Sequence, residues 1–313
     1  MTRAFIFPGQ GAQTIGMGRA LADAYPASKA VFAEVDDALG ESLSSLIWEG
    51  EIESLTLTRN AQPALMATSL AAMAALKAEG VDVTAASFVA GHSLGEYSAL
   101  CAAGTFSLAD TARLLRLRGE AMQAAVPAGK GAMAAVLGLD LAAVEEVAAE
   151  AAQGEVCEAA NDNDPAQVVI SGAKAAVERA CEIAKAKGAK RALLLPVSAP
   201  FHCALMQPAA DAMAQALGEV DMQAPAVPLV SNVLARAESA PAVIRENLVV
   251  QVTGRVRWRE SVAWMAAEGV TEVYEIGAGK ALSGMVKRID RAVTPHAVGT
   301  PDDVTKALEA LAQ

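Results

Sequence analysis

Short apolar runs alternate along this chain with longer stretches in which apolar positions recur every three or four residues. The short runs read as strands, and the longer periodic stretches read as helices. The first strand is residues 3–7, stopped by Pro8-Gly9. A helical stretch follows, then another at 27–39, and then a long helix at 61–79, rich in Ala, Leu and Met and closed by Gly80. Residues 87–90 form a short strand that runs into Gly91-His92-Ser93, and helical residues resume directly after it, to Gly104. Ser107 opens the next helix, with Asp110 three residues on as its capping partner. The C-terminal third repeats the theme, with strands at 227–230, 271–276 and 292–298 and helices at 240–250, 257–268, 280–289 and 301–311. Strands alternating with helices in this way predict an α/β fold with a mainly parallel sheet.

The middle of the chain departs from that alternation. Residues 132–137 read as a strand and 141–152 as a helix. Strands at 156–160 and 167–171 are joined by an Asn/Asp/Pro turn, followed by a helix at 174–187 and a strand at 191–197. The order β-α-β-β-α-β is that of ferredoxin-like modules. Gly129 and Gly131 stand at its entrance, and Pro196 and Pro200 at its exit. The expected organisation is therefore a larger unit, 1–127 and 199–313, carrying a small inserted domain, 128–198.

Composition narrows the function. The chain has 313 residues, 53% hydrophobic and 19% charged, which supplies a large core and argues against disorder. Its length corresponds to two units at roughly 150 residues each. The N-terminal apolar run is too short for a signal peptide, and no stretch approaches the ~18 apolar residues of a membrane span. A cytoplasmic protein is expected. A net charge of −11 argues against nucleic-acid binding and requires that any anionic partner be drawn by local basic clusters. Candidates are Lys185, Lys187, Lys190 and Arg191, or Lys280, Lys287 and Arg288. Cys101, Cys157, Cys181 and Cys203 form no CxxC pair, so neither a zinc site nor a disulfide framework is expected.

The chemistry begins at Gly91-His92-Ser93-Leu94-Gly95, which matches G-x-S-x-G between a strand and a helix of small residues. A serine on such a turn exposes its hydroxyl above the sheet, and the glycines let strand and helix approach closely. The Leu94 N–H is then placed for an oxyanion. Such a serine needs a base, and the chain has three histidines: His92, His202 and His296. His92 adjoins Ser93 and should point to the other side. A hydrolase-type order would choose the late His296, with an acid such as Asp290. The alternative is His202, at the junction of the two predicted units, where clefts tend to lie. One further residue stands out. In the helix opened by Ser107, Arg113, Arg116, Glu120 and Gln123 share a solvated face, with Arg116 and Glu120 spaced as an i,i+4 pair. Arg118 instead falls among Leu108, Leu114, Leu115 and Met122 on the apolar face. A charge there must be paired, either with a structural carboxylate or with a carboxylate carried by the substrate.

These features coincide in one family. The chain resembles malonyl-CoA:acyl carrier protein transacylases over essentially its whole length, through FPGQGAQ, GHSLGEYSAL, RLRGEAMQ, VSAPFHCALM, SNV, LVVQVTGRVRW and EIGAGKALSGMVKRI. The resemblance implies an α/β-hydrolase-like core with a ferredoxin-like insertion. It implies that Ser93 carries the malonyl group and that His202 is the base, then the acid, oriented by a backbone carbonyl near Gln251. The amides of Gln10 and Leu94 would form the oxyanion hole, and Arg118 would clamp the malonyl carboxylate. Asn232 would support the site, and Phe201 would shape a pocket for an unbranched chain. The implied partners are malonyl-CoA, as a thioester cosubstrate, and acyl carrier protein. No metal or other cofactor is expected, and the chain is expected to be a monomer serving fatty-acid synthesis. The competing readings are a malonyltransferase of polyketide synthesis, a serine thioesterase or esterase, and a non-catalytic docking domain.

Overall fold

The structure is a computed structural model that describes residues 2–312. Ten strands form two sheets. The larger contains β1 (Thr2–Phe7), β2 (Phe88–Gly91), β7 (Leu229–Val230), β8 (Ala237–Glu238), β9 (Val270–Ile276) and β10 (Thr294–Val298), in the order β10-β9-β1-β2-β7-β8. Every pair in it is parallel except β7 with β8. The central strand β1 is buried on both faces: Phe5 and Phe7 join the main apolar cluster, and Ala4 and Ile6 join a second cluster on the opposite side. That is why it reads as a continuous apolar run rather than an alternating one.

The smaller sheet contains β3 (Gly131–Leu137), β4 (Cys157–Asp164), β5 (Gln167–Ala173) and β6 (Arg191–Leu194), antiparallel throughout, in the order β4-β5-β3-β6. Here the period of two sorts the side chains. Ala134, Val136, Val168 and Ile170 pack under the helices Leu141–Ala152 and Lys174–Ala186, whereas Met133, Ala135 and Val169 face the main cluster of the larger unit. The small sheet therefore keeps one face for its own core and turns the other towards the parallel sheet. The α/β class with a mainly parallel sheet and a second, ferredoxin-ordered sheet is as expected from sequence.

Several expected elements have different bounds. β4 does not end at 160 but continues through Asn161, Asp162, Asn163 and Asp164, all buried, in place of the expected turn. These polar side chains are matched across the junction. Asp162 takes Arg259 at 2.8 Å, Asp164 takes Arg288 at 2.8 Å, and Asn163 Oδ1 lies 2.8 Å from His92 Nε2. The Asp162 N–H also donates to Val256 O at 2.9 Å, fastening β4 to the larger unit by backbone. The expected strand 191–197 stops at Leu194, before Pro196. The helices Leu43–Glu49, Ile52–Thr56 and Gln207–Glu219 were not read from the sequence.

Candidate active site

β2 ends at Gly91, and the helix Gly95–Ala102 begins four residues on. Between them Ser93 takes φ of 53°, a strained value for a residue with a side chain. The two flanking glycines are required by space. A Cβ on Gly91 would lie 1.9 Å from the carbonyl carbon of Gly95, and one on Gly95 would lie 2.2 Å from Phe7 O. Asn232 clamps the turn from the loop after β7. Its Oδ1 accepts the Ser93 N–H at 2.8 Å, and its Nδ2 donates to Gly91 O at 2.7 Å.

Ser93 Oγ lies 2.7 Å from His202 Nε2. His202 Nδ1 faces two backbone carbonyls, Gln251 O at 2.8 Å and Gly254 O at 3.1 Å. Carbonyls only accept, so Nδ1 carries the proton and Nε2 is free to accept the serine hydroxyl. Burial, and next the charge of Arg118, push the imidazole down to about 3, which keeps it unprotonated and able to accept at neutral pH. His202 itself adopts φ of 57°, held in place by the short Phe201–Cys203 turn.

Arg118 is 1% exposed. Its Nη1 donates to Gln62 Oε1 at 2.7 Å, and its Nη2 donates to Gln251 Oε1 at 2.8 Å and to Ser93 Oγ at 3.1 Å. Among the described residues no carboxylate forms a salt bridge with it, although the buried Glu96 acts on it through charge, and its Nε has no hydrogen-bond partner. The structural ion pair weighed from sequence is therefore absent among those residues. The guanidinium is thus held by two side-chain amides, the Ser93 hydroxyl and the face of the Tyr97 ring, 5.7 Å away, and a buried cation without a salt-bridged anion is costly. The expected Arg116–Glu120 pair is also not formed. Arg116 turns to Asn60 and Glu41, and Glu120 turns to Arg59 at 3.2 Å, because the long helix Thr58–Ala78 packs alongside.

A cavity of about 540 Å³ opens between the two sheets over these groups. Gln10, Ser93, Leu94, Arg118, Phe201 and His202 line it from the larger unit, and Met133, Val169 and Leu195 close it from the smaller. The backbone amides of Gln10 and Leu94 have no hydrogen-bond partner among the described residues, whereas the Ser93 amide is already taken by Asn232. The Gln10 side chain is tethered by Thr58 Oγ1 at 3.0 Å, and Thr58 Oγ1 also accepts from Gln62 Nε2 at 2.9 Å. The loop carrying Gln10 and the Arg118 amide partner thus share one anchor.

Neither of the other two histidines is hydrogen-bonded to Ser93 Oγ. His92 lines the cavity, but its Nε2 lies 2.8 Å from Asn163 Oδ1 and its ring is tilted against Trp258. His296 lies on edge strand β10, stacked on Tyr274 with ring centroids 4.7 Å apart and 3.4 Å from Glu272. It does not line the cavity, and Asp290 is engaged with the Ala292 N–H instead. Sequence reasoning missed Gln62, Glu96 and the Gly254 carbonyl. Gln62 and Glu96 carried a signal of the same kind as Arg118: a long polar side chain flanked along its helix by small and apolar residues, Ala61, Pro63 and Ala64 for Gln62 and Gly95, Tyr97 and Ala99 for Glu96. Of the expected basic clusters, Lys185 and Lys187 are paired with Glu182 and Glu150, and Arg288 with Asp164. Lys280 stays next to Ala281 and Leu282 at the cavity wall.

A strained serine, a carbonyl-oriented histidine, two free backbone amides and a buried cation above a parallel sheet define a serine acyltransferase site. The comparisons with known proteins agree: residues 4–295 match the acyl transferase domain family, and the chain belongs to it. It is 49% identical over 306 residues, 98% of each chain, to the malonyl CoA-acyl carrier protein transacylase of Escherichia coli K12. The crystal structure of the acyl-carrier-protein S-malonyltransferase of Bartonella henselae superposes with a TM-score of 0.98 at 57% identity, covering all of both chains. A malonyl transacylase solved with a type II polyketide-synthase acyl carrier protein superposes with a TM-score of 0.96 at 44% identity, covering 99% of this chain and 100% of the other.

Proposed function

We propose that this protein transfers the malonyl group from malonyl-CoA to the phosphopantetheine thiol of acyl carrier protein, supplying extender units for fatty-acid synthesis. The observation that carries the reading is Arg118. It is a buried guanidinium with no salt bridge among the described residues, 3.1 Å from the nucleophile, and so fitted to an acyl group that ends in a carboxylate.

In the first half-reaction Ser93 Oγ attacks the thioester carbonyl. A C–O bond forms, and the hydroxyl proton passes to His202 Nε2. The carbonyl oxygen becomes an oxyanion held by the amides of Gln10 and Leu94. One such donor is worth about 100-fold or more in rate. The C–S bond then breaks, and His202 returns its proton to the departing CoA sulfur. In the second half, His202 takes the proton of the carrier thiol, the sulfur attacks the malonyl ester, and the C–O bond breaks as the proton returns to Ser93. Every proton and electron pair is accounted for, so the reaction calls for no metal or redox group. Asn232 fixes the nucleophile's backbone throughout. Phe201, 8% exposed and on the cavity wall, narrows the space beside the acyl chain and favours an unbranched one.

All of these groups come from a single chain, which fits a monomer. Among the described residues no helix is long and apolar enough to cross a membrane. We read the protein as cytoplasmic, where both partners are soluble. The test is incubation with malonyl-CoA followed by intact mass. Wild type is expected to gain one malonyl group, Ser93→Ala none, and added holo carrier protein should discharge the adduct. An unmodified wild type, under conditions that acylate a known transacylase, would sink the proposal.

A further inference from the structure

Glu96 occupies the first turn of the helix Gly95–Ala102, directly after the nucleophile turn, and is 1% exposed. It touches neither the cavity nor the arginine. Its Oε1 accepts the backbone N–H of Asn232 at 2.5 Å, and its Oε2 accepts from Gln251 Nε2 at 2.5 Å. Each partner acts on a reacting group. Asn232 holds the Ser93 amide, and Gln251 holds Arg118 through Oε1 and His202 through its backbone carbonyl.

The orientation of the Gln251 amide is the point at issue. Arg118 only donates, so it needs the Gln251 oxygen. That leaves the Gln251 NH2 facing inward, where Glu96 Oε2 and Ser93 O, at 3.0 Å, receive it. We propose that Glu96 is a positioning residue: its two carboxylate oxygens hold Asn232 and Gln251 together and so keep the Gln251 oxygen turned to Arg118. The proposal rests on the reading that Arg118 receives the substrate's carboxylate.

A carboxylate can do this and its amide cannot. Both groups facing Glu96 are donors, and the Asn232 backbone cannot turn over. A glutamine at this position must give its single oxygen to Asn232 and present NH2 to Gln251. Gln251 then either faces NH2 with NH2, or flips and presents its own NH2 to the guanidinium. The flip takes a charge-assisted hydrogen bond from Arg118, and the NH2–NH2 contact removes the bond that holds the Gln251 amide in place against that flip. A protonated Glu96 is in the same position as the glutamine. Burial pushes its carboxyl up to about 8, against the pull of the Asn232 N–H, Gln251 and Arg118, so both forms are populated near neutral pH. Among the described residues, the charged and titratable groups bearing on it are Arg118, from the helix Leu108–Ala124, and Tyr97 of its own helix. Arg118 stays charged, and burial raises Tyr97 to about 12, so neither titrates between about pH 7 and 9.

The experiment is acylation of Ser93 by malonyl-CoA and by acetyl-CoA, read by intact mass, for wild type, Glu96→Gln, Arg118→Ala and Glu96→Gln/Gln251→Glu. Glu96→Gln is expected to lower the malonyl rate relative to the acetyl rate by about tenfold or more, the loss of one charge-assisted hydrogen bond. The double variant puts a carboxylate on Arg118 itself, in competition with the substrate's own, and is expected to have no malonyl preference; a wild-type ratio in it overturns the clamp reading on which the proposal rests. In wild type the ratio should rise with pH through about 8, and in Glu96→Gln it should be flat. Equal loss with both donors in a folded Glu96→Gln, or a rise with pH that survives in it, overturns the proposal. Arg118→Ala separates the two levels. If it keeps the wild-type ratio, the clamp reading fails and Glu96 falls with it. If it loses the ratio while Glu96→Gln keeps it, only the role of Glu96 is wrong.

Discussion

The centre and the edge of the parallel sheet each place a histidine near an oxygen, and only one of them is built for chemistry. At the centre, β2 delivers Ser93 onto a strained turn and His202 meets it at 2.7 Å, enclosed by two carbonyls on its other nitrogen. At the edge, β10 carries His296 against Tyr274 and a partly exposed Glu272 that is shared with Arg3. The edge has the carboxylate that a triad would call for, and the centre has none on its histidine. A carboxylate beside an imidazole raises its pKa and favours the cation, whereas the two carbonyls fix the tautomer and raise the pKa less than burial and Arg118 lower it, so Nε2 stays unprotonated. Orientation and burial leave Nε2 free to accept the serine proton without an acid on the histidine.

This contrast can be broken most decisively at the centre. His202→Ala is expected to slow acylation by malonyl-CoA by about 10²–10⁴-fold, or ~3–5 kcal/mol of barrier, read as the rate of adduct formation. Retention of most of the rate would move the base elsewhere. The next effect is in pH dependence. Because His202 is held down to about 3, its Nε2 stays unprotonated as pH falls through 6.5. The kcat/KM for malonyl-CoA, which reports the free enzyme, is expected to show no loss centred near pH 6.5. A fall there would mean that Arg118 and burial do not perturb the imidazole. The smallest effect lies at the edge. His296→Ala should leave the acylation rate unchanged and cost within about 1 kcal/mol of stability, from one partly exposed contact with Glu272 and one stacked ring. Thermal melting and the same mass assay measure both, and a lost adduct would revive the hydrolase-type reading.

Much of the centre was legible because its signals are local. The G-x-S-x-G turn needs glycines at both flanks for the space seen at Gly91 and Gly95. Arg118 was legible as a break in helix periodicity, and it is in fact buried. The Ser107–Asp110 cap also forms, with the Asp110 N–H donating to Ser107 Oγ at 3.0 Å. What escaped depends on partners far away in sequence. Asn161 to Asp164 carry the composition of a turn, yet they complete β4 because Arg259, Arg288 and His92 satisfy them across the junction. Arg116 and Glu120 have the spacing of a pair, yet each finds a better partner on neighbouring elements. Gln62 and Glu96 were passed over because a lone polar side chain in a helix shows its purpose only once its neighbours are known.

By itself, the sequence determined the alternation of strands and helices, the strained nucleophile and the presence of a buried cation. These follow from backbone sterics and from periodicity, both of which act within a few residues. Only the tertiary structure decided that His202 rather than His296 meets Ser93. It alone decided that Arg118 is held by Gln62 and Gln251 instead of a carboxylate, and that Glu96 stands behind Gln251. Hydrogen bonds and charges work over a few ångströms, and separations of 109, 133 and 155 residues become such distances only when the chain has folded.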